Sequence, residues 1–207
     1  MKSLCFICPS RGRIKKLKKL ILSFIENNTN SSLYVVYDFD DAAYKEYYQD
    51  NKDNLESNRV YFLENSIDFA GAFLHIMNHY ALEKASSYDL VGFLEDDCVI
   101  QTNNFDSIIS SCKEKIIYTN DLLNTPRIVS LPVIDSKVIT KMGYYSPPEI
   151  KCLWADYYWK MLGSSLESIK YLDNVIIKHE HYSVMREDKD FISIQVDKIG
   201  KQDYVSY

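Results

Sequence analysis

Apolar residues in the first hundred positions alternate between two periods. "SLCFIC" at residues 3 to 8 is an unbroken apolar run stopped by "PSRG", whose Pro and Gly end a strand, so it reads as a buried strand. From there the apolar positions fall at Ile14, Leu17, Leu20, Ile21, Phe24 and Ile25, one face of a helix that the polar stretch "ENNTNSS" closes. A second run, "LYVVY" at 33 to 37, leads into "DFDDA", then into a tyrosine-rich helical stretch to about Gln49 and a third short strand, "VYFL", at 60 to 63. Helical spacing returns over residues 70 to 84 at Ala70, Phe73, Leu74, Met77 and Ala81, followed by the strand "LVGFL" at 90 to 94. The order is βαβαβ, the pattern of a parallel sheet covered by helices.

Beyond residue 126 the rhythm changes. A strand "RIVSLPVI" at 127 to 134 is followed by a Pro- and Tyr-rich loop "GYYSPPE", an aromatic segment "CLWADYYWKML" and a last strand "NVIIKHEHY" at 174 to 182. There is no internal repeat, low-complexity tract or linker, so the pattern predicts one domain.

Parallel strands joined by helices bring their carboxyl ends to one edge of the sheet, where ligands of such sheets bind. Three polar clusters share that edge: "PSRGR", "DFDD" and "EDD", the last being Glu95, Asp96 and Asp97. Consecutive carboxylates at the end of a buried strand repel one another and lose hydration, so a cation or a hydrogen-bonding ligand is needed to sustain them. Mg2+ and Mn2+ take such oxygen ligands together with water and phosphates. The competing reading, a helix cap, is poorly placed, because the next helical stretch starts only near Asn104.

The 207 residues include 46% apolar and 26% charged positions with seventeen Tyr and nine Phe, a composition that folds. A net charge of −5 argues against a general nucleic-acid binder, whose affinity rests on Lys and Arg. One basic run stands out, "RGRIKKLKK" at 11 to 19. Arg11 and Arg13 precede the helix, and a helix start favours phosphate. Lys15, Lys16, Lys18 and Lys19 lie off its apolar face and read as solvated lysines, although this is also the one helix suited to face DNA. Five cysteines, no signal peptide and no bilayer-length apolar run point to a soluble, cytoplasmic protein with free thiols. The Cys5-x-x-Cys8 pair falls inside a strand and has no second Cys or His pair to complete a zinc site.

Four pieces, "CPSRGR" at 8 to 13, "GFLEDDCV" at 92 to 99, "WADYYWKMLG" at 154 to 163 and "NVIIKHEHY" at 174 to 182, occur in an order that resembles glycosyltransferases of the GT-A fold, in particular small enzymes common in bacteriophages. The likeness runs from residue 3 to about residue 190, and "EDD" looks like the D-x-D region of that family. It implies a single α/β, GT-A-like (Rossmann-like) domain over 1–207, with a mostly parallel central sheet flanked by helices. The nucleotide-sugar half would be about 1–100, the acceptor half about 101–190 and a C-terminal tail about 191–207.

The resemblance further implies metal-dependent transfer of a hexosyl or pentosyl group from a nucleoside-diphosphate sugar, foremost a UDP-sugar, to an acceptor hydroxyl. A modified base in phage DNA is one acceptor it suggests. Pro9, Ser10, Arg11 and Arg13 would contact the nucleotide, Asp38 the base or ribose, and Asp96 the ribose or sugar. Asp97 would bind Mn2+ or Mg2+, while Glu95 stands where the strict motif has Asp and its role is open. His179 and His181, two apart on a strand, would point the same way, and one of them, His179 by preference, would reach the metal. Asp156 would be the general base of an inverting enzyme, with Trp154 and Tyr157 on the acceptor. Two rivals stand beside this reading. A nucleotidyltransferase would need a glycine-rich, Lys-containing phosphate loop, and "PSRGR" has a single Gly; a catalytically silent nucleotide- or glycan-binding module would share the fold.

Overall fold

A computed structural model of the chain describes residues 1–66, 72–185 and 189–205. Four parallel strands, β1 (Leu4–Ser10), β2 (Ser32–Asp38), β3 (Val60–Asn65) and β4 (Leu90–Phe93), are connected by α1 (Ile14–Asn27), α2 (Ala42–Ser57) and α3 (Phe73–Lys84). This is the expected βαβαβ progression. Ala70, placed by periodicity on the third helix, lies outside the described residues.

The second half adds β5 (Cys98–Ile100), α4 (Phe105–Ser111), β6 (Ile116–Asn120), β7 (Val133–Asp135), α5 (Ser136–Met142), α6 (Ala155–Ser165), β8 (Ile169–His179), α7 (Tyr182–Met185) and α8 (Phe191–Val205). Strand order is β3-β2-β1-β4-β7-β6-β8-β5. β7 runs antiparallel to both β4 and β6, and β5 antiparallel to β8, so the sheet is mixed, with its parallel part at the amino-terminal end. It curls until β5 meets α1, where Ile100 N–H donates to Ser23 Oγ at 3.0 Å and Asn27 Nδ2 donates to the Ile100 carbonyl at 3.1 Å.

One hydrophobic core joins both halves. Leu17, Leu20, Ile21 and Phe24, the predicted stripe of α1, are buried, and the rings of Phe6, Phe24 and Phe105 meet at centroid distances of 5.5 to 6.4 Å. Burying such rings stabilises by roughly 2 kcal/mol each.

Several elements depart from the sequence expectation: α2 runs on to Ser57 instead of ending near Gln49, β5 and α5 form where neither is expected, and β8 spans Ile169–His179 instead of 174–182. Only the end of "RIVSLPVI" is a strand, since Pro132 has no N–H for a ladder and Leu131 has a φ of 49°. β6 forms where no strand is expected; its short run, "IIYTN", is held by β7 and β8 on either side. The segment expected to be a tail is the helix α8.

Gly92 marks the tightest packing of the sheet. A Cβ there would lie 2.5 Å from Phe6 Cδ1 and 3.1 Å from Val133 Cγ2. Gly92→Ala is expected to lower stability by about 1–3 kcal/mol through overpacking, read as a lower midpoint in denaturant unfolding.

Candidate active site

Elementary sheet geometry places the site. The carboxyl ends of β1, β2 and β4 open onto a cleft of about 1170 Å3. β4 stops at Phe93, and the three carboxylates occupy the turn into β5, closed by Cys98 N–H donating to the Glu95 carbonyl at 3.1 Å. No helix follows, so none of the three caps one. The β5–β8 register sets Cys98 opposite His179, and Glu180 N–H donates to the Asp97 carbonyl at 2.9 Å. His179 is brought to Asp97 by strand pairing across some eighty residues of chain.

Glu95, Asp97 and His179 each offer one ligand atom, all within 4.8 Å of one another. Asp97 Oδ1 and His179 Nε2 are 3.2 Å apart, buried, and in no hydrogen-bond geometry, while Glu95 Oε2 is 3.5 Å from the same nitrogen. Two buried polar atoms 3.2 Å apart, with a second carboxylate beside them, form a set of hard oxygen and imidazole donors of the kind a divalent cation takes. Burial pulls the His179 pKa down, but the Glu95 and Asp97 carboxylates outweigh it and raise it to about 9. Burial pushes Asp97 up, and the adjacent His179, Arg13 and Lys16 bring it below its ordinary value.

His181 stands outside this group. β8 ends at His179, so the two histidines are not consecutive same-face positions of one strand. The His181 ring instead lies edge-on against that of His179 at 5.4 Å and lines the same cleft.

Asp96 turns away from the triad. Ser10 Oγ donates to its Oδ2 at 2.6 Å and Arg13 Nη1 to its Oδ1 at 3.3 Å. Burial raises its pKa to about 7 despite Arg13. Both arginines expected at the nucleotide are engaged by protein carboxylates: Arg11 bridges Asp38 and Asp40, and Arg13 holds Asp190 and Ser193 besides Asp96. Asp38 also accepts from Asn65 Nδ2 at 3.1 Å. Pro9, Ser10, Arg11, Arg13 and Asp38 all line the cleft.

Lys16, expected to be solvated, is instead drawn to the acidic edge, while Lys19 stays 65% exposed as expected. Because α1 packs along β5, the face carrying residues 13, 16 and 19 looks onto the acidic edge; Lys16 Nζ is 3.7 Å from Asp97 Oδ2, and Lys19 Nζ is 3.3 Å from Glu180. Lys18 Nζ lies 4.5 Å from the centre of the Tyr47 ring.

Asp156, in the first turn of α6, lines the cleft. Burial, with Glu95 and Asp121 nearby, raises its pKa to about 7. Trp154 and Tyr157, stacked at 6.2 Å, fall outside the cleft lining and are 38% and 52% exposed.

Sequence reasoning missed Asp121, Asp190 and Ser193. Asp121 Oδ1 accepts the N–H groups of Leu123, Asn124 and Thr125, a side-chain-capped turn whose "NDLLNT" signal is legible as a turn but says nothing of the site. Its carbonyl accepts His179 N–H at 3.1 Å. For α8 the apolar spacing Ile192, Val196, Ile199 was the available cue.

No known protein family and no curated protein matches the chain in sequence. Its fold matches solved glycosyltransferases. TarS from S. aureus, residues 1–349 in complex with UDP, aligns with a TM-score of 0.67 at 16% identity over 95% of this chain and 69% of that one. The mannosyltransferase PcManGT from Pyrobaculum calidifontis, in complex with GDP-Man and Mn2+, gives 0.71 at 11% identity over 99% and 64%. GalNAc-T7 with UDP, GalNAc and Mn2+ gives 0.66 at 10% over 86% and 44%. The chain spans 42% of a longer TarS structure. These likenesses establish the fold, a single α/β domain with a curled mixed sheet of the GT-A type. Among the described residues no helix is long and apolar enough to cross a membrane.

Removing the buried carboxylate of the triad tests it directly. Mn2+ is expected to raise the melting temperature of the wild type and EDTA to reverse the rise, whereas Asp97→Asn, with affinity at least about tenfold weaker, shows no Mn2+-dependent shift at the same concentration.

Proposed function

We propose that the protein is a metal-dependent glycosyltransferase that moves a sugar from a nucleoside-diphosphate sugar, first of all a UDP-sugar, to an acceptor hydroxyl. The observation that carries this reading is the convergence of Glu95, Asp97 and His179 in a cleft whose wall holds Asp156, on a GT-A fold. UDP in one solved neighbour and GDP-Man with Mn2+ in another support a nucleoside-diphosphate donor.

In this reading Glu95, Asp97 and His179 hold Mn2+ or Mg2+, and His181 bounds the same site. A divalent cation there supplies positive charge against the negative charge developing on the leaving diphosphate. Pro9, Ser10, Arg11 and Asp38 form the nucleotide end, while Asp96, fixed by Ser10 and Arg13, faces the ribose or the sugar. Asp156 accepts the acceptor hydroxyl's proton as that oxygen bonds to the anomeric carbon, and the C–O bond to the diphosphate breaks with its electron pair going to phosphate. A single displacement of this kind inverts the anomeric carbon. The raised pKa of Asp156 makes it a stronger base than an ordinary carboxylate.

The exposed Trp154–Tyr157 pair offers flat faces to an approaching acceptor. A modified base in phage DNA is the less supported acceptor, because the chain carries a net charge of −5 and Lys16, one of the four lysines of the basic helix, turns to Asp97. A glycan or protein hydroxyl suits a chain of net charge −5 better. Free thiols at Cys5, Cys8, Cys98 and Cys112 accord with action in the cytoplasm, where nucleotide sugars are also available.

A thermal-shift panel of UDP, GDP, CDP and TDP and their sugars, each with Mn2+, Mg2+ or EDTA, is expected to give one nucleotide-specific stabilisation that EDTA removes. Nucleotide binding without any turnover of the matching sugar donor would favour a silent binding module instead. Asp156→Asn is expected to keep donor binding within about twofold and to lose transfer by at least about a hundredfold in kcat. Normal turnover in that variant would remove Asp156 as the base.

A further inference from the structure

The carboxyl-terminal helix is built into the cleft through a single acidic residue. Asp190 immediately precedes α8, and its Oδ1 accepts Ser193 N–H at 2.8 Å, capping the helix. The same carboxylate holds Arg13 on both oxygens, from Nε and Nη2, each at 2.7 Å, and Arg13 Nη2 also donates to Ser193 Oγ at 2.8 Å. A bidentate pair of this kind fixes the plane of a guanidinium. That plane leaves Nη1 directed at the carboxylate edge, 3.3 Å from Asp96 and 4.0 Å from Asp97.

The far end of α8 is seated just as closely. A Cβ on Gly200 would lie 2.1 Å from Leu153 Cδ1 and 2.6 Å from its Cγ, and Trp154 Nε1 donates to the Gly200 carbonyl at 3.4 Å. Between the two ends, Ile192, Gln195, Val196 and Asp197 line the cleft. The helix thus spans from the Arg13 edge to the segment that leads into Asp156.

We infer that Asp190 is a positioning residue of the donor site: by capping α8 and gripping Arg13 with one carboxylate, it makes the seating of α8 and the orientation of Arg13 a single event. The identity of the ligand rests on the function proposed above; the coupling rests on the contacts just given. Its consequence is that loosening α8 at Gly200, far from Arg13, weakens the donor site as much as loosening it at Asp190.

Hydrogen exchange of the α8 amides is measured in the ligand-free protein, and donor KM and kcat are measured separately. Asp190→Ala and Gly200→Ala are each expected to speed exchange along α8 and to raise donor KM by about tenfold, the worth of one charge-assisted hydrogen bond, with kcat changed by less than about threefold. Alanine is the better helix former, so faster exchange in Gly200→Ala reports the clash with Leu153 and not a weaker helix. Leu153→Ala in the Gly200→Ala background restores both readouts, and Asp190→Glu, which keeps the charge, recovers most of the donor KM. Unchanged exchange in Asp190→Ala overturns the inference, and so does faster exchange with an unchanged donor KM. If the wild type neither binds nucleotide with Mn2+ nor transfers sugar, the functional reading fails while the exchange comparison still decides whether Asp190 seats the helix.

Discussion

Three carboxylates in consecutive positions, two of them only 5% exposed, are the constraint around which the molecule is arranged. Each loses hydration on folding and each repels its neighbours, a cost of several kcal/mol per unpaired ion that the sheet edge alone has no means to offset. The compensation is fixed positive charge from two other elements. Arg13 and Lys16 reach the cluster from α1 and its approach, at 3.3 Å from Asp96 and 3.7 Å from Asp97, and His179 reaches it from β8 at 3.2 Å from Asp97. Asp121 and Asp156 add further negative charge within range of His179. The region therefore remains rich in carboxylate, and Glu95, Asp97 and His179 form a donor group of the kind a divalent cation takes.

This demand gives reasons for parts of the fold that otherwise look incidental. β5 has three residues, yet its pairing with β8 is what sets His179 beside Asp97. The capped turn of Asp121 looks like ordinary loop chemistry, but its carbonyl receives the His179 N–H and steadies the end of that strand. The curl of the sheet brings β5 onto α1, and that contact turns Arg13 and Lys16 toward the acids, while Lys15, Lys18 and Lys19 stay exposed.

The two halves of the chain were unequally legible. Up to β4, the apolar pattern located each strand and helix, with α2 running past its expected end, because local pattern and tertiary placement agree when each strand is followed by the helix that covers it; β5, made a strand by pairing with β8, was not located. In the other half, β6 and β7 are short, and hydrogen bonds to neighbours remote in sequence make them strands. Pro132 ends what looked like a longer run. At the site, the types of residue were readable and their pairings were not. Glu95, left without a role by motif comparison, stands with Asp97 and His179, while His181, its spacing apparently favourable, falls just past the strand.

The sequence by itself determined that a parallel α/β half would carry acidic clusters to one edge, and that Asp97, His179 and Asp156 were residues to examine there. It did so because strand and helix periods are local properties, and because three adjacent carboxylates after an apolar run are costly wherever they fold. Only the tertiary structure decided which charges meet: Lys16 with Asp97, His179 with Glu95 and Asp97, Arg13 with Asp190 across 177 positions of chain. Those pairings follow from strand register, sheet curl and the seating of a terminal helix, each set by packing between segments that share no local pattern.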